Sequence, residues 1–162
     1  MPIKNKLYIR SIQRLDQSIL FKWTNDRETR GSSLNPRLIK YWRHKLWFSG
    51  ILNSRYKNPA LICLKKGKVR IGIIRFTRLP KLKNKWEIHF TVAPRYRGMG
   101  LAKAMLEKAL RWFRRDHHNQ IVIARVKKDN LKSLNVLISL GFAQQKIGTC
   151  KSDLIHLRLS AR

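Results

Sequence analysis

The chain has 162 residues, 43% of them hydrophobic, and sets 37 Lys+Arg against 8 Asp+Glu for a formal net charge of +29. That length and apolar content suit one folded domain over residues 1–162 and leave no room for a second. No apolar run reaches the roughly 18 residues of a membrane span and no secretory leader opens the chain, so a cytoplasmic protein is expected, and one that keeps polyanionic company.

In chain order, LYIRSI (Leu7 to Ile12) alternates like a strand, and Leu15 to Trp23 reads as a helix with Leu15, Ile19, Leu20 and Trp23 on one face. TNDRETRGSSLNPR follows as a polar loop. A second helical pattern runs from Pro36 to about Leu52, its apolar stripe made by Leu38, Ile39, Trp42, Leu46 and Trp47. Ala60 to Leu64, Val69 to Phe76 and Trp86 to Val92 read as strands, the first two joined at KKGK, where a Gly suits a tight hairpin. A third helix puts Ala102, Met105, Leu106, Ala109, Leu110 and Phe113 inward. Then come the strand IVIARV, a helix over Asn130 to Leu140 ended by Gly141, and a closing pair, Phe142 to Ile147 and Leu154 to Leu159. The expected fold is α/β (α+β): a mixed, mostly antiparallel twisted sheet of about seven strands flanked by about four helices. Cys63 and Cys150 lie far apart with no Cys-x-x-Cys and read as reduced thiols, and the five histidines show no metal-ligand spacing, so no metal is expected.

The stretch APRYRGMGLAKAML (Ala93 to Leu106) sets arginines and glycines between a strand and the third helix. Unpaired N–H groups at a helix start, with the helix dipole behind them, make a ready anion site. A dinucleotide fingerprint needs a small residue where this chain has Lys103, and a P-loop needs Gly-Lys-Ser/Thr, so two nucleotide readings fail. The loop can still present backbone donors to an anion at Gly98 and Gly100, with Arg95 and Arg97 adding charge.

Arg97-Gly98-Met99-Gly100-Leu101-Ala102, between WEIHFTVAP and KKDNLKSLNVLISLGF, resembles the acyl-CoA motif of the GNAT superfamily of N-acyltransferases, and the likeness covers nearly the whole chain. The resemblance implies acetyl-CoA as acyl donor, its pyrophosphate held by residues 97–102. It also implies a backbone donor at Thr91 or Val92 for the thioester oxygen, and a turn at Asn130 and Ser133 facing the pantetheine arm. Where many relatives carry a tyrosine acid, this chain has Leu137, which cannot protonate a thiolate.

Acetyl transfer to an amine also needs a base. On the strand before the loop, Trp86, Ile88, Phe90 and Val92 share one face, leaving Glu87, His89 and Thr91 on the other. His89 has the better intrinsic pKa for the task, while Glu87 needs desolvation to serve; both stand as candidates.

WTNDRETRGSSLNP followed by IKYWRHKLWF is similar to the pattern of enzymes that acetylate UDP-linked amino-sugars in the pseudaminic-acid pathway. That likeness implies a nucleotide-sugar acceptor contacted by Trp23, Asn25, Arg30 and His44. Trp47 and Phe48, at helical spacing from Trp42, suit a core better than a substrate contact. Two other functions fit the sequence: an N-acetyltransferase of proteins or ribosomal proteins, and a nucleic-acid-binding module of weak activity on the same fold. The charge also allows non-specific association with polyanions or nucleic acid.

Overall fold

The computed structural model describes residues 7–54, 57–65, 68–82, 84–145 and 153–161. In order they form β1 (Leu7–Ser11), α1 (Gln17–Thr24), α2 (Arg27–Ser32), α3 (Tyr41–Asn53), β2 (Ala60–Lys65), β3 (Val69–Arg78), β4 (Lys85–Val92), α4 (Leu101–Asp116), β5 (Ile121–Lys127), α5 (Leu131–Ser139), β6 (Ala143–Gln144) and β7 (Leu154–Leu159). The seven strands make one sheet in the order β1-β2-β3-β4-β5-β7-β6. All neighbours are antiparallel except β4 and β5, which α4 joins as a parallel crossover. The mixed, mostly antiparallel seven-stranded sheet is therefore as expected from sequence, with five α-helices among the described residues rather than about four.

The parallel pair is short. Lys85, Trp86 and Glu87 of β4 pair in turn with Ile121, Val122 and Ile123 of β5, and the ladder between them ends there. Beyond Glu87, β4 keeps its partner β3 out to Val92 while β5 keeps β7 out to Lys127, so the sheet forks at this point. Backbone groups on the inner edges of the fork are released from the ladder and open to other partners.

Each face of the sheet carries its own core. On one side Phe76 stacks on Phe113 of α4 at 4.2 Å between ring centroids, with Trp86, Met105, Leu106, Leu134 and Leu137 around them. On the other, Leu20 and Trp23 of α1 and Phe48 and Ile51 of α3 cover Ile62 and Leu64. Asp16, fully buried, pins the second layer to the sheet edge: it accepts from Arg10 at 2.7 and 2.8 Å, Arg70 at 2.6 Å and the Gln13 amide at 2.8 Å. Burial opposes the charge on Asp16, but these donors outweigh it and hold the carboxyl below its ordinary value.

Four sequence expectations need correction. Leu15 sits in a short 3-10 turn before α1 and is 80% exposed, so the inward face of that helix is Leu20 and Trp23. The stretch read as a loop contains α2, six residues with no buried side chain; Asp26 caps it by accepting from the Thr29 amide at 3.1 Å. A helix without an apolar stripe leaves no periodicity to read. On α3 the structure buries His44, Phe48 and Ile51, while Trp42, Leu46 and the preceding Leu38 face solvent. Both sets recur at helical spacing, and the choice fell to the set containing a histidine. Finally, β6 is Ala143–Gln144, with Phe142 and Gln145 outside the strand; Lys146 and Ile147 of the expected strand, the hairpin Gly67 and Cys150 lie outside the described residues.

Gly72, opposite Val92 on β4, leaves room for two close neighbours: an added Cβ would stand 2.5 Å from Met105 Sδ of α4 and 2.7 Å from the Thr91 carbonyl. The carbonyl cannot move without breaking the ladder. Gly72→Ala is expected to destabilise the fold by about 1–3 kcal/mol, measured by urea denaturation; wild-type stability would show that the sheet yields at this point.

Candidate active site

Strand β4 leads through a short 3-10 turn, Pro94–Tyr96, into a loop that opens α4. Gly98 and Gly100 both hold positive φ, 74° and 65°, a region that side chains with a Cβ avoid. Gly100 is the N-cap of α4, and no side chain caps that end. The first N–H groups of a 16-residue helix are thus presented beside an exposed loop, with Gly98, Met99 and Gly100 at the surface and Leu101 anchored in the core. Donors arranged this way can hold a pyrophosphate.

This loop lies at the mouth of the fork. The Ala93 amide donates to Ile71 O of β3 at 2.8 Å. Because successive N–H groups of a strand alternate sides, Thr91 is directed to β3 and Val92 to the opening. Arg97 Nε supports this, donating to Val92 O at 3.3 Å from the side away from β3. Of the two residues expected to offer a backbone donor, Val92 is the one aimed into the fork.

At the root of the fork stands Glu87, 4% exposed. Arg125 of β5 reaches across to it with two bonds, Nε to Oε1 at 2.7 Å and Nη2 to Oε2 at 2.8 Å. His89 Nε2 stands 3.6 Å from Oε2. Burial would raise the Glu87 carboxyl, but His89 and Arg125 outweigh it and hold it at about 2. A carboxylate so fully committed is a poor proton acceptor at neutral pH, and the desolvation that would make it a base is overcome by its partners. His89, beside it, is half-buried.

Arg97 does not extend freely toward the loop. Its guanidinium meets Asp26 at 2.6 Å, Glu28 at 3.2 Å and Thr29 Oγ1 at 2.8 Å, all on or beside α2. Glu28 also pairs with Lys132 of α5 at 3.0 Å, and Lys127 of β5 donates to Gly31 O at 2.7 Å. The short helix therefore bridges both arms of the fork. Asn130 caps α5, its Oδ1 accepting from the Ser133 amide at 3.2 Å, and Leu137 is fully buried in the core.

A model of the acetyltransferase (GNAT) domain matches residues 6–143. The chain belongs to the GNAT acetyltransferase family. Comparison with curated proteins finds no match. Among solved structures, this GNAT domain is similar to yncA from Salmonella typhimurium with its cofactor acetyl-CoA, at 20% identity over 98% of this chain and 95% of that one, TM-score 0.75. It is similar to the spermidine N-acetyltransferase of Vibrio cholerae in complex with CoA and spermine, at 16% identity over 96% of each chain, TM-score 0.81. The ribosomal-protein-alanine N-acetyltransferase of Brucella melitensis is 18% identical over 94% of this chain and 99% of its own, TM-score 0.74.

The residues expected on the acceptor side of the GNAT domain lie in the segment from α1 to α3. Trp23, 6% exposed, and His44, 1% exposed, are buried in the layer that these helices lay over the sheet. His44 lies among Phe21, Trp47 and Phe48 with neither ring nitrogen hydrogen-bonded among the described residues, and burial lowers its pKa. Asn25 is a loop staple, donating to Ile39 O at 2.9 Å and accepting from the Ile39 amide at 2.8 Å. Arg30 gives its donors to Thr24 O, Asn35 O, Arg37 O and Ser33 Oγ, so its charge meets no carboxylate among the described residues. A cleft of about 430 Å³ lies here, lined by Arg30, Asn35, Arg37, Lys40, Trp42 and Arg43 with Leu38 and Ile39. Sequence reading missed Arg125 and Arg75, although a single cation on an otherwise apolar strand, in IVIARV and in IGIIRF, is the signal that marks them. Among the described residues no cluster of His, Cys, Asp or Glu could hold a metal, and no helix is long and apolar enough to cross a membrane.

Two outcomes test this geometry. A carboxyl lowered from 4.5 to about 2 stabilises the fold above its unfolded pKa and loses that contribution as pH falls toward its folded one. Glu87→Gln should therefore cost about 3 kcal/mol at pH 7, with the gap to wild type in urea melts narrowing as pH falls from 4.5 toward 2; a penalty independent of pH would contradict the ion pair. Gly100→Trp, at the loop surface, should abolish coenzyme A binding by calorimetry while the fold survives with a modestly lowered melting temperature, since a side chain at positive φ is strained. Undiminished affinity would remove the pyrophosphate from this loop.

Proposed function

We propose that this GNAT enzyme acetylates a primary amine on an anionic acceptor, most simply a nucleotide-linked amino-sugar. Acetyl-CoA is the acyl donor of the family; when bound it supplies a thioester-activated acetyl group. Gly98, Met99, Gly100, Leu101 and Ala102 would hold its pyrophosphate by their backbone, with the turn at Asn130 and Ser133 beside its pantetheine arm. Val92 N–H would hold its carbonyl oxygen, where charge accumulates during transfer. Arg97 contributes through Val92 O and α2, setting the loop against the acceptor side.

His89 takes the proton of the acceptor ammonium. Its neighbour Glu87, negative and 3.6 Å from Nε2, favours the tautomer with the proton on Nε2 and leaves Nδ1 as the acceptor. Leu137 is hydrocarbon in the core, so the leaving thiolate takes its proton from another source.

One observation carries the choice of acceptor: the cleft beside α3 presents four cations and an exposed tryptophan, with no carboxylate among its lining residues. Asp26 and Glu28, the acidic residues beside and within α2, are already engaged by Arg97 and Lys132. A polyamine or a basic protein tail would meet repulsion here. A nucleoside diphosphate offers phosphates to the cations and a planar base to Trp42, whose ring already carries Arg43 at 5.4 Å.

Thiol release from acetyl-CoA, followed against UDP-amino-sugars, polyamines and N-terminal peptides, should show turnover of the first class alone. His89→Ala should lower kcat by about 100-fold or more with acetyl-CoA affinity unchanged. Turnover of spermidine or of peptides in preference to sugar nucleotides would replace this reading with the one it excludes, and a wild-type rate in His89→Ala would move the base elsewhere.

A further inference from the structure

Arg75 lies near the middle of β3, on the face that α3 covers, between Ala60 of β2 and His89 of β4 as its register partners. Cross-strand partners share a face, with Cβ atoms about 5 Å apart. The side chain is half-buried, and its guanidinium lies over the ring of Trp47 at 5.2 Å.

The other arginines of this region are matched. Arg10 and Arg70 pair with Asp16, Arg97 with Asp26 and Glu28, and Arg125 with Glu87. Among the described residues Arg75 makes no hydrogen bond or ion pair; burial works against its charge, and Glu87 acts on it only through space. A cation taken partly out of water and left on an aromatic ring is held ready for an anion. The ring of Trp47 fixes its orientation, and the committed bond between Glu87 and Arg125 keeps the nearest carboxylate from satisfying it.

We infer that Arg75 selects the acceptor: it binds a phosphate or carboxylate carried a few bonds from the reacting amine, beside His89. This rests on the acetyltransferase reading above and names the contact by which an anionic acceptor is chosen. The anion of the substrate completes the coordination of Arg75 and so positions the amine beside His89. An acceptor without an anion makes no such contact.

The test compares Arg75→Gln and Arg75→Lys with wild type on matched acceptors: a UDP-linked amino-sugar, the same sugar as its 1-phosphate, its uncharged methyl glycoside, and an amino acid of similar size. With the anionic acceptors, kcat/KM should fall about 30-fold or more in Arg75→Gln, chiefly through KM, with partial recovery in Arg75→Lys; the methyl glycoside and acetyl-CoA should keep their KM within about threefold. An equal loss on charged and neutral acceptors would overturn the inference, because a merely structural residue would act on both. Turnover of the amino acid alone, with the same dependence on Arg75, would uphold Arg75 and overturn the nucleotide-sugar reading. If no acceptor turns over, thermal stabilisation by the UDP-linked sugar decides: a shift lost in Arg75→Gln upholds the contact, and a shift that survives, or no shift in wild type, overturns it.

Discussion

The bond between Glu87 and Arg125 sits where the sheet stops being a sheet. Strands β4 and β5 pair for three residues and then part, and a bidentate ion pair between the buried Glu87 carboxylate and the partly exposed Arg125 guanidinium joins them at that point. Parallel strands released from each other leave unpaired backbone in a protein interior, which is costly unless something else defines the opening. The ion pair closes the root of the fork, so the arms separate from a fixed point. Removing Arg125 would strand the buried Glu87 carboxylate, whereas removing Glu87 leaves a guanidinium that water already reaches. The residues proposed to handle acetyl transfer are arranged relative to that root: His89 two residues along β4, Val92 further out, and the glycine loop at the tip of the arm.

The mouth of the fork is held differently. Helix α2 buries none of its side chains and is too short to be stable by itself, yet it lies between the loop before α4 and the start of α5. Asp26 and Glu28 hold Arg97 on one arm while Glu28 and the Gly31 carbonyl hold Lys132 and Lys127 on the other. These contacts are exposed to solvent to differing degrees, and individually such pairs contribute about 1 kcal/mol or less. The root is therefore rigid and the mouth adjustable, a suitable division for a site that must admit a long cofactor arm from one side and an amine from the other.

How much of this was legible in the sequence depended on whether a feature is local. The glycine loop, α4 and the alternation of β4 are local patterns, and Gly98, Gly100, Met105, Phe113, Glu87 and His89 lie where those patterns put them. The bonding state of Glu87 is not local, since it is decided by Arg125, 38 residues on, and by the register of a strand pair. The face of α3 was equally undecidable from spacing, because Leu38, Trp42 and Leu46 repeat as well as His44, Phe48 and Ile51 do. Asn25 and Arg30 were expected to contact the acceptor on the likeness of their segment to amino-sugar acetyltransferases, and the structure shows that much of their hydrogen-bonding capacity holds the loop itself.

The charge of the chain acquires a more definite meaning in this arrangement. Four of its eight acidic residues, Asp16, Asp26, Glu28 and Glu87, are taken up in clamps between structural elements, each on arginine or lysine. The positive charge that these clamps leave uncompensated includes Arg75 beside His89 and the cations lining the cleft by α3. Long-range attraction from exposed cations is screened within about 8 Å at physiological salt, so it guides encounter more than it holds a ligand. Arg75 is different in kind, being half-buried and fixed on Trp47, where screening is weak. On the acceptor reading proposed above, a fixed cation beside His89 favours a substrate that brings a negative charge, so recognition of the acceptor draws on charge that the clamps leave uncompensated.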